Sequence, residues 1–165
     1  MNIHSAARLL TVSAFAILGA VSAIAPATAA DSHSHDAPPA VLKLNDGARW
    51  QTDAALRTGM ESIRGAVAHA LPDVHGGRYS AAQYQALGDA VEQQVGYIVQ
   101  NCKLEPAADE VLHAVIADIG KGVDVIAGRA DGVEREQGVV HLVGALDAYA
   151  SHFDHPGWKA LETGH

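Results

Sequence analysis

Apolar residues recur at three- and four-residue spacing in four successive stretches of this chain, and no stretch sustains the period-two alternation of a strand. The first runs from about Asp53 to Leu71, with Leu56, Met60, Ile63, Val67 and Ala70 or Leu71 on one face, Thr52 or Asp53 as its N-cap and Pro72 as its stop. The second starts after Ser80 and carries Tyr84, Leu87, Val91, Val95, Ile98 and Cys102. The third opens near Pro106, a residue suited to a first helical turn. It carries Ala108, Leu112, Val115, Ile119, Val123 and Ile126 before Gly128. The fourth starts near Asp131 and ends before Pro156, with Val139, Leu142 or Val143, Leu146, Tyr149 and Phe153 inward. Such stripes bury themselves only against one another. Short links between four of them predict an all-α, up-down-up-down four-helix bundle. Glycines 120, 122, 138 and 144 lower the intrinsic helicity of the last two helices, and Trp158 is expected to pack back on the bundle.

What precedes the bundle reads as export chemistry. Residues 1–29 combine one charge, Arg8, an apolar run from about Leu9 to Ala25, and small residues at Ala27-Thr28-Ala29. That is the plan of a cleaved secretory signal peptide, with an uncleaved anchor as the alternative. Residues 30–51 are expected to be a flexible tail and lead-in bearing His33 and His35, and residues 52–165 the bundle domain. No other stretch is long and apolar enough for a bilayer. The formal charge of −8 becomes −9 once Arg8 leaves with the signal, and no basic stripe is present, which argues against nucleic acid as a partner. A periplasmic protein that is not membrane-bound after cleavage is the expectation.

An exported chain with one cysteine poses a chemical question, because oxidising compartments favour paired thiols. The expected topology supplies an answer. It gathers the start of helix one, the end of helix two, the start of helix three and the end of helix four at one end of the molecule. Met60, Cys102, His113 and His152 all belong there, with His155 able to replace His152. His69 and His75 fall at the other end. Thioether, thiolate and imidazole are donors that select soft metal ions, Cu(I) foremost. The ligand set read from the sequence is therefore Met60, Cys102, His113 and His152, with His33, His35 and His155 as accessory donors. Copper is the expected ion, and a periplasmic metal donor or acceptor protein the expected partner. The bland alternatives are a core methionine, a small buried cysteine and two surface histidines.

Absent motifs narrow the field. There is no Cys-x-x-Cys-His for covalent haem and no paired Glu-x-x-His for a di-iron centre. No phosphate loop, nucleophile elbow or zinc-protease motif occurs. Within "ADEVLH" a carboxylate precedes His113 by three or four residues, without a counterpart elsewhere. A Cys102–His113 nucleophile pair would lack an oxyanion hole and a third orienting group, so the chain does not read as an enzyme.

Two resemblances bear on these residues. "LNDGARWQTDAALRTGM" together with "NCKLEPAADEVLH" resembles a group of small exported proteobacterial four-helix proteins of poorly defined role. The resemblance covers most of the mature chain, matches Met60, Cys102 and His113, and through "HFDHPGW" extends to His152 and His155. The architecture is also similar to soluble four-helix b-type cytochromes. That resemblance implies haem b held between Met60 and His152, although Cys102 and His113 at the same end are extra to such a site. Three readings follow: a copper-binding protein acting in sequestration, tolerance or delivery; a b-type haem protein; and a metal-free stress or protein-interaction module.

Overall fold

A computed structural model describes residues 41–162. The signal peptide, His33 and His35 lie outside the described residues. Four helices dominate: α1 (Ala54–His75), α2 (Ala81–Asn101), α3 (Pro106–Ile126) and α4 (Arg135–His152). Each packs on its successor and α4 returns to α1, which closes the up-down-up-down ring, with α3 against α4 the most extensive pairing. Among the described residues no helix is long and apolar enough to cross a membrane.

The stripes become the core. Leu56, Met60, Ile63 and Val67 of α1 are wholly buried, as are Ile119 and Ile126 of α3 and Leu142 and Tyr149 of α4. Local chemistry sets the helix starts. Asp53 caps α1, its Oδ1 accepting from Leu56 N–H at 2.7 Å. Ser80 and Gln83 form a reciprocal capping box on α2. Pro106 takes the first turn of α3, where its missing N–H costs nothing.

Two boundaries differ from the sequence reading. Helix α1 passes through Pro72 and ends at His75. Val74, only 3% exposed, anchors that extra turn in the core, and Gly76 N–H closes it by donating to the Pro72 carbonyl while Gly77 N–H donates to that of Val74. Helix α4 begins at Arg135 rather than near Asp131. Gly128 and Gly132, at φ +74° and +72°, make the intervening link a turn, and the Arg135 guanidinium donates to the Ile126 carbonyl at the end of α3.

Gly122 and Gly138 carry a cost in helicity but also permit close packing of α3 on α4. A Cβ on Gly138 would lie 2.7 Å from the Gly122 carbonyl oxygen and 2.8 Å from Ile126 N. Those atoms are backbone and cannot swing aside. By contrast, a Cβ on Gly120 or Gly144 meets nothing within 4 Å.

A feature without any period-two signal closes the molecule. Two residues before α1, β1 (Trp50–Gln51), pair in parallel with two residues after α4, β2 (Phe153–Asp154). Trp50 and Phe153 are buried, and Trp50 Nε1 donates to the Lys43 carbonyl at 2.7 Å. Asn45 and Ala48 exchange backbone hydrogen bonds of 2.8 Å around the Asp46-Gly47 turn. The lead-in thus turns at Asn45-Asp46-Gly47 and is joined to the bundle at β1, while residues 41–49 are exposed. Buried Trp50 is the physical reason for that join.

Candidate functional site

The bundle end that holds the start of α1 and the end of α2 is tied together by Asp53. While its Oδ1 caps α1, its Oδ2 accepts from Lys103 N–H at 2.6 Å, fixing the chain immediately after Cys102. Cys102 is the C-cap of α2, its N–H donating to the Ile98 carbonyl at 2.8 Å, and its side chain is half-buried. Burial, and then the negative charges of Asp53 and Asp109, push its thiol up to about 11. At neutral pH it is a protonated, poorly nucleophilic thiol.

Across from it stands His113. Cys102, Asp109 and His113 line one groove of about 260 Å³ between α2 and α3, floored by Ile98, Leu112 and Ile116 and flanked by Val99. His113 Nδ1 lies 2.8 Å from the Asp109 carbonyl oxygen. A carbonyl only accepts, so Nδ1 carries the proton, and in the neutral ring Nε2 then keeps its lone pair. Backbone anchoring of Nδ1 is the usual way to orient a metal-binding imidazole. The Asp109 carboxylate stands 3.4 Å from the same nitrogen and adds negative charge to the groove.

The other residues singled out in the sequence are placed differently. Met60 is wholly buried in the core, beside Gly59, which abuts the Ile98 side chain, and it is not part of the groove lining. His152 is half-buried at the end of α4, its Nδ1 donating to the Ala148 carbonyl at 2.7 Å. His155 lies past the helix, 2.9 Å from the Tyr149 hydroxyl through Nδ1 and packed against Trp158. Among the described residues no three His, Cys, Asp or Glu side chains group so as to hold one ion. The groove thus offers two good donors, Cys102 Sγ and His113 Nε2. An axial haem ligand at Met60 would require the packed core around it to open.

Sequence reasoning took Asp53 only as a cap and Tyr149 only as a core residue, and undervalued Asp109. The signal for Asp109 was its position four residues before His113, one helical turn away. Nothing in the sequence marks Asp53 as more than a cap, because its second partner lies fifty positions downstream. No protein-family model, curated protein or solved structure matches this chain, so what can be said of its class is structural: an all-α four-helix bundle with a thiol–imidazole groove at one end.

Proposed function

We propose that this protein is a periplasmic binder of copper, taking Cu(I) between Cys102 Sγ and His113 Nε2 in sequestration, tolerance or delivery. The observation that carries the reading is the shared groove, with His113 tautomerically set to present a lone pair and Cys102 as the soft donor. A soft monovalent ion of this kind is served by few donors, one of them sulfur, whereas a structural zinc site takes four. The carboxylates of Asp53 and Asp109, which disfavour a bare thiolate, favour a bound cation, and binding releases the thiol proton. An open groove with two donors suits an ion that is handed on.

Export is supported by the signal-like first 29 residues and by a lone cysteine that coordination would protect. The site needs neither Met60 nor His152 nor His155, and His33 and His35 are accessory donors at most.

The test is direct. The mature protein, purified from copper-supplemented cells, should carry about one copper per chain, with a copper–sulfur distance near 2.3 Å in X-ray absorption; the comparable figure for zinc–thiolate bonds is about 2.3 Å. Cys102→Ala and His113→Ala should lose the metal with helical circular dichroism unchanged. A Soret band would instead establish haem, and a chain that takes neither group would leave the interaction module.

A further inference from the structure

The end of the bundle opposite Cys102 carries a larger groove. It measures about 600 Å³, against about 260 Å³ beside Cys102, and lies between the end of α1, the start of α2 and the link from α3 to α4. That volume is in the range that takes small molecules. Two tyrosines line it: Tyr79 and Tyr84 meet edge to face, their ring centroids 4.9 Å apart at 85°. Val74 and the half-exposed Val133 add apolar surface, and Asp131, Glu134 and Glu136 bring carboxylates.

Tyr84 is the member that the fold leaves unexplained. It is only 8% exposed, yet its hydroxyl makes no hydrogen bond among the described residues. The one partnerless side-chain atom sealed from solvent there is His141 Nε2, so the Tyr84 oxygen still reaches solvent, through the groove that Tyr84 lines. Burial and then the nearby Glu136 charge hold its phenol above the usual range, so the hydroxyl is intact and can both donate and accept. Buried polar groups are normally hydrogen-bonded, and one left open at the floor of a groove fits a ligand that brings the partner.

The surrounding charges set the sign of that ligand. Arg135, the one basic side chain in the lining, is already committed, its guanidinium donating to the Ile126 carbonyl. Among the described residues none of the three carboxylates forms an ion pair. The amides that start α4 would draw an anion, but Glu134 at the cap position and Glu136 in the first turn oppose one. A metal ion is a poor match, because no three His, Cys, Asp or Glu side chains among the described residues group so as to hold one. Carboxylates too far apart for one ion can still flank a longer organic cation, and tyrosine rings attract ammonium groups.

We propose that this groove binds a small alkyl diamine in its diammonium form, one ammonium at the Tyr84 hydroxyl beside Glu136 and the second drawn by Asp131 and Glu134, with the alkyl chain along the valines and tyrosine rings. Three carboxylates against one guanidinium leave a charge of two for the ligand to match. Copper plays no part in this site, which lies at the other end of the helices from Cys102 and His113.

Isothermal titration of the mature, metal-free protein with putrescine at low ionic strength tests it, with butylamine and Ca²⁺ as comparisons. Putrescine should bind once per chain and more tightly than butylamine. Tyr84→Phe, which keeps the ring packing, should weaken it about fivefold, the worth of one ordinary hydrogen bond. Glu136→Gln, at an exposed position, should weaken it about tenfold, because hydrogen bonds to a charged group are the stronger ones. Cys102→Ala should bind putrescine as the wild type does. No saturation by millimolar putrescine, an affinity unmoved in either groove variant, butylamine binding as tightly, or Ca²⁺ binding in preference overturns the proposal.

Discussion

Asp53 and Lys103 are fifty positions apart, yet the Lys103 amide donates to the Asp53 carboxylate across 2.6 Å while the same carboxylate caps α1. One side chain therefore starts one helix, holds the exit of another and sets the field in which Cys102 titrates. Removing its functions separately is informative. Asp53→Ala deletes the cap and the tie, and denaturation should show a loss of about 1–2 kcal/mol. Asp53→Asn can keep the cap on its one oxygen but turns an NH2 toward the Lys103 amide, so the tie goes with the charge; stability should fall by less than in Asp53→Ala while the Cys102 thiol titrates lower. The value should stay above the ordinary ~8.5 of a free cysteine, because burial is the leading cause of the shift.

Alkylation of Cys102 by iodoacetamide reads that field in the native protein. The rate should remain low at pH 7 to 8 and climb with thiolate fraction toward about pH 11. In a helix-disrupting denaturant the same curve should move to the ordinary thiol range, since neither burial nor the fixed carboxylates survive unfolding.

Met60 separates core from ligand. Met60→Leu conserves volume and should cost less than about 1.5 kcal/mol, whereas Met60→Ala should cost about 2–5 kcal/mol. Because Met60 does not line the Cys102–His113 groove, Met60→Leu should retain copper in equilibrium dialysis under conditions where Cys102→Ala does not.

The glycines of α3 and α4 should divide into opposite classes in urea denaturation. Gly138→Ala drives a methyl onto the Gly122 carbonyl and should destabilise by about 1–3 kcal/mol, despite the gain in helix propensity. Gly120→Ala and Gly144→Ala meet open space and should stabilise by about 0.5–1 kcal/mol each.

The helices were legible because burial imposes a 3.6-residue period on sequence, and every stripe residue from Leu56 to Val67 lies inside. Boundaries were less so. Pro72 reads as a stop until the burial of Val74 is known, and Arg135 acquires its capping partner only when α3 has ended nearby. The β1–β2 pair was invisible, since two residues on each side leave no period to detect. At the site, topology alone brings Cys102 and His113 to one end of the bundle. It does not say which inward residues reach a common groove. That depends on depth and azimuth, and Met60 sits in the packed core away from the groove's lining. His155 lies three residues beyond the last helical position, where periodicity carries no information, and its partner proves to be a phenol rather than an ion.

The parallel pairing of Trp50 with Phe153 also fixes how the domain bears load. Tension applied through the two ends of the chain would pull β1 and β2 past each other lengthwise, straining their hydrogen bonds and the buried Trp50 and Phe153 side chains together. The packing of the four helices on one another would feel that tension only after the docked segment of Trp158 and Leu161 had peeled away and this seam had slipped. The shortest element of the fold is thus its mechanical fuse.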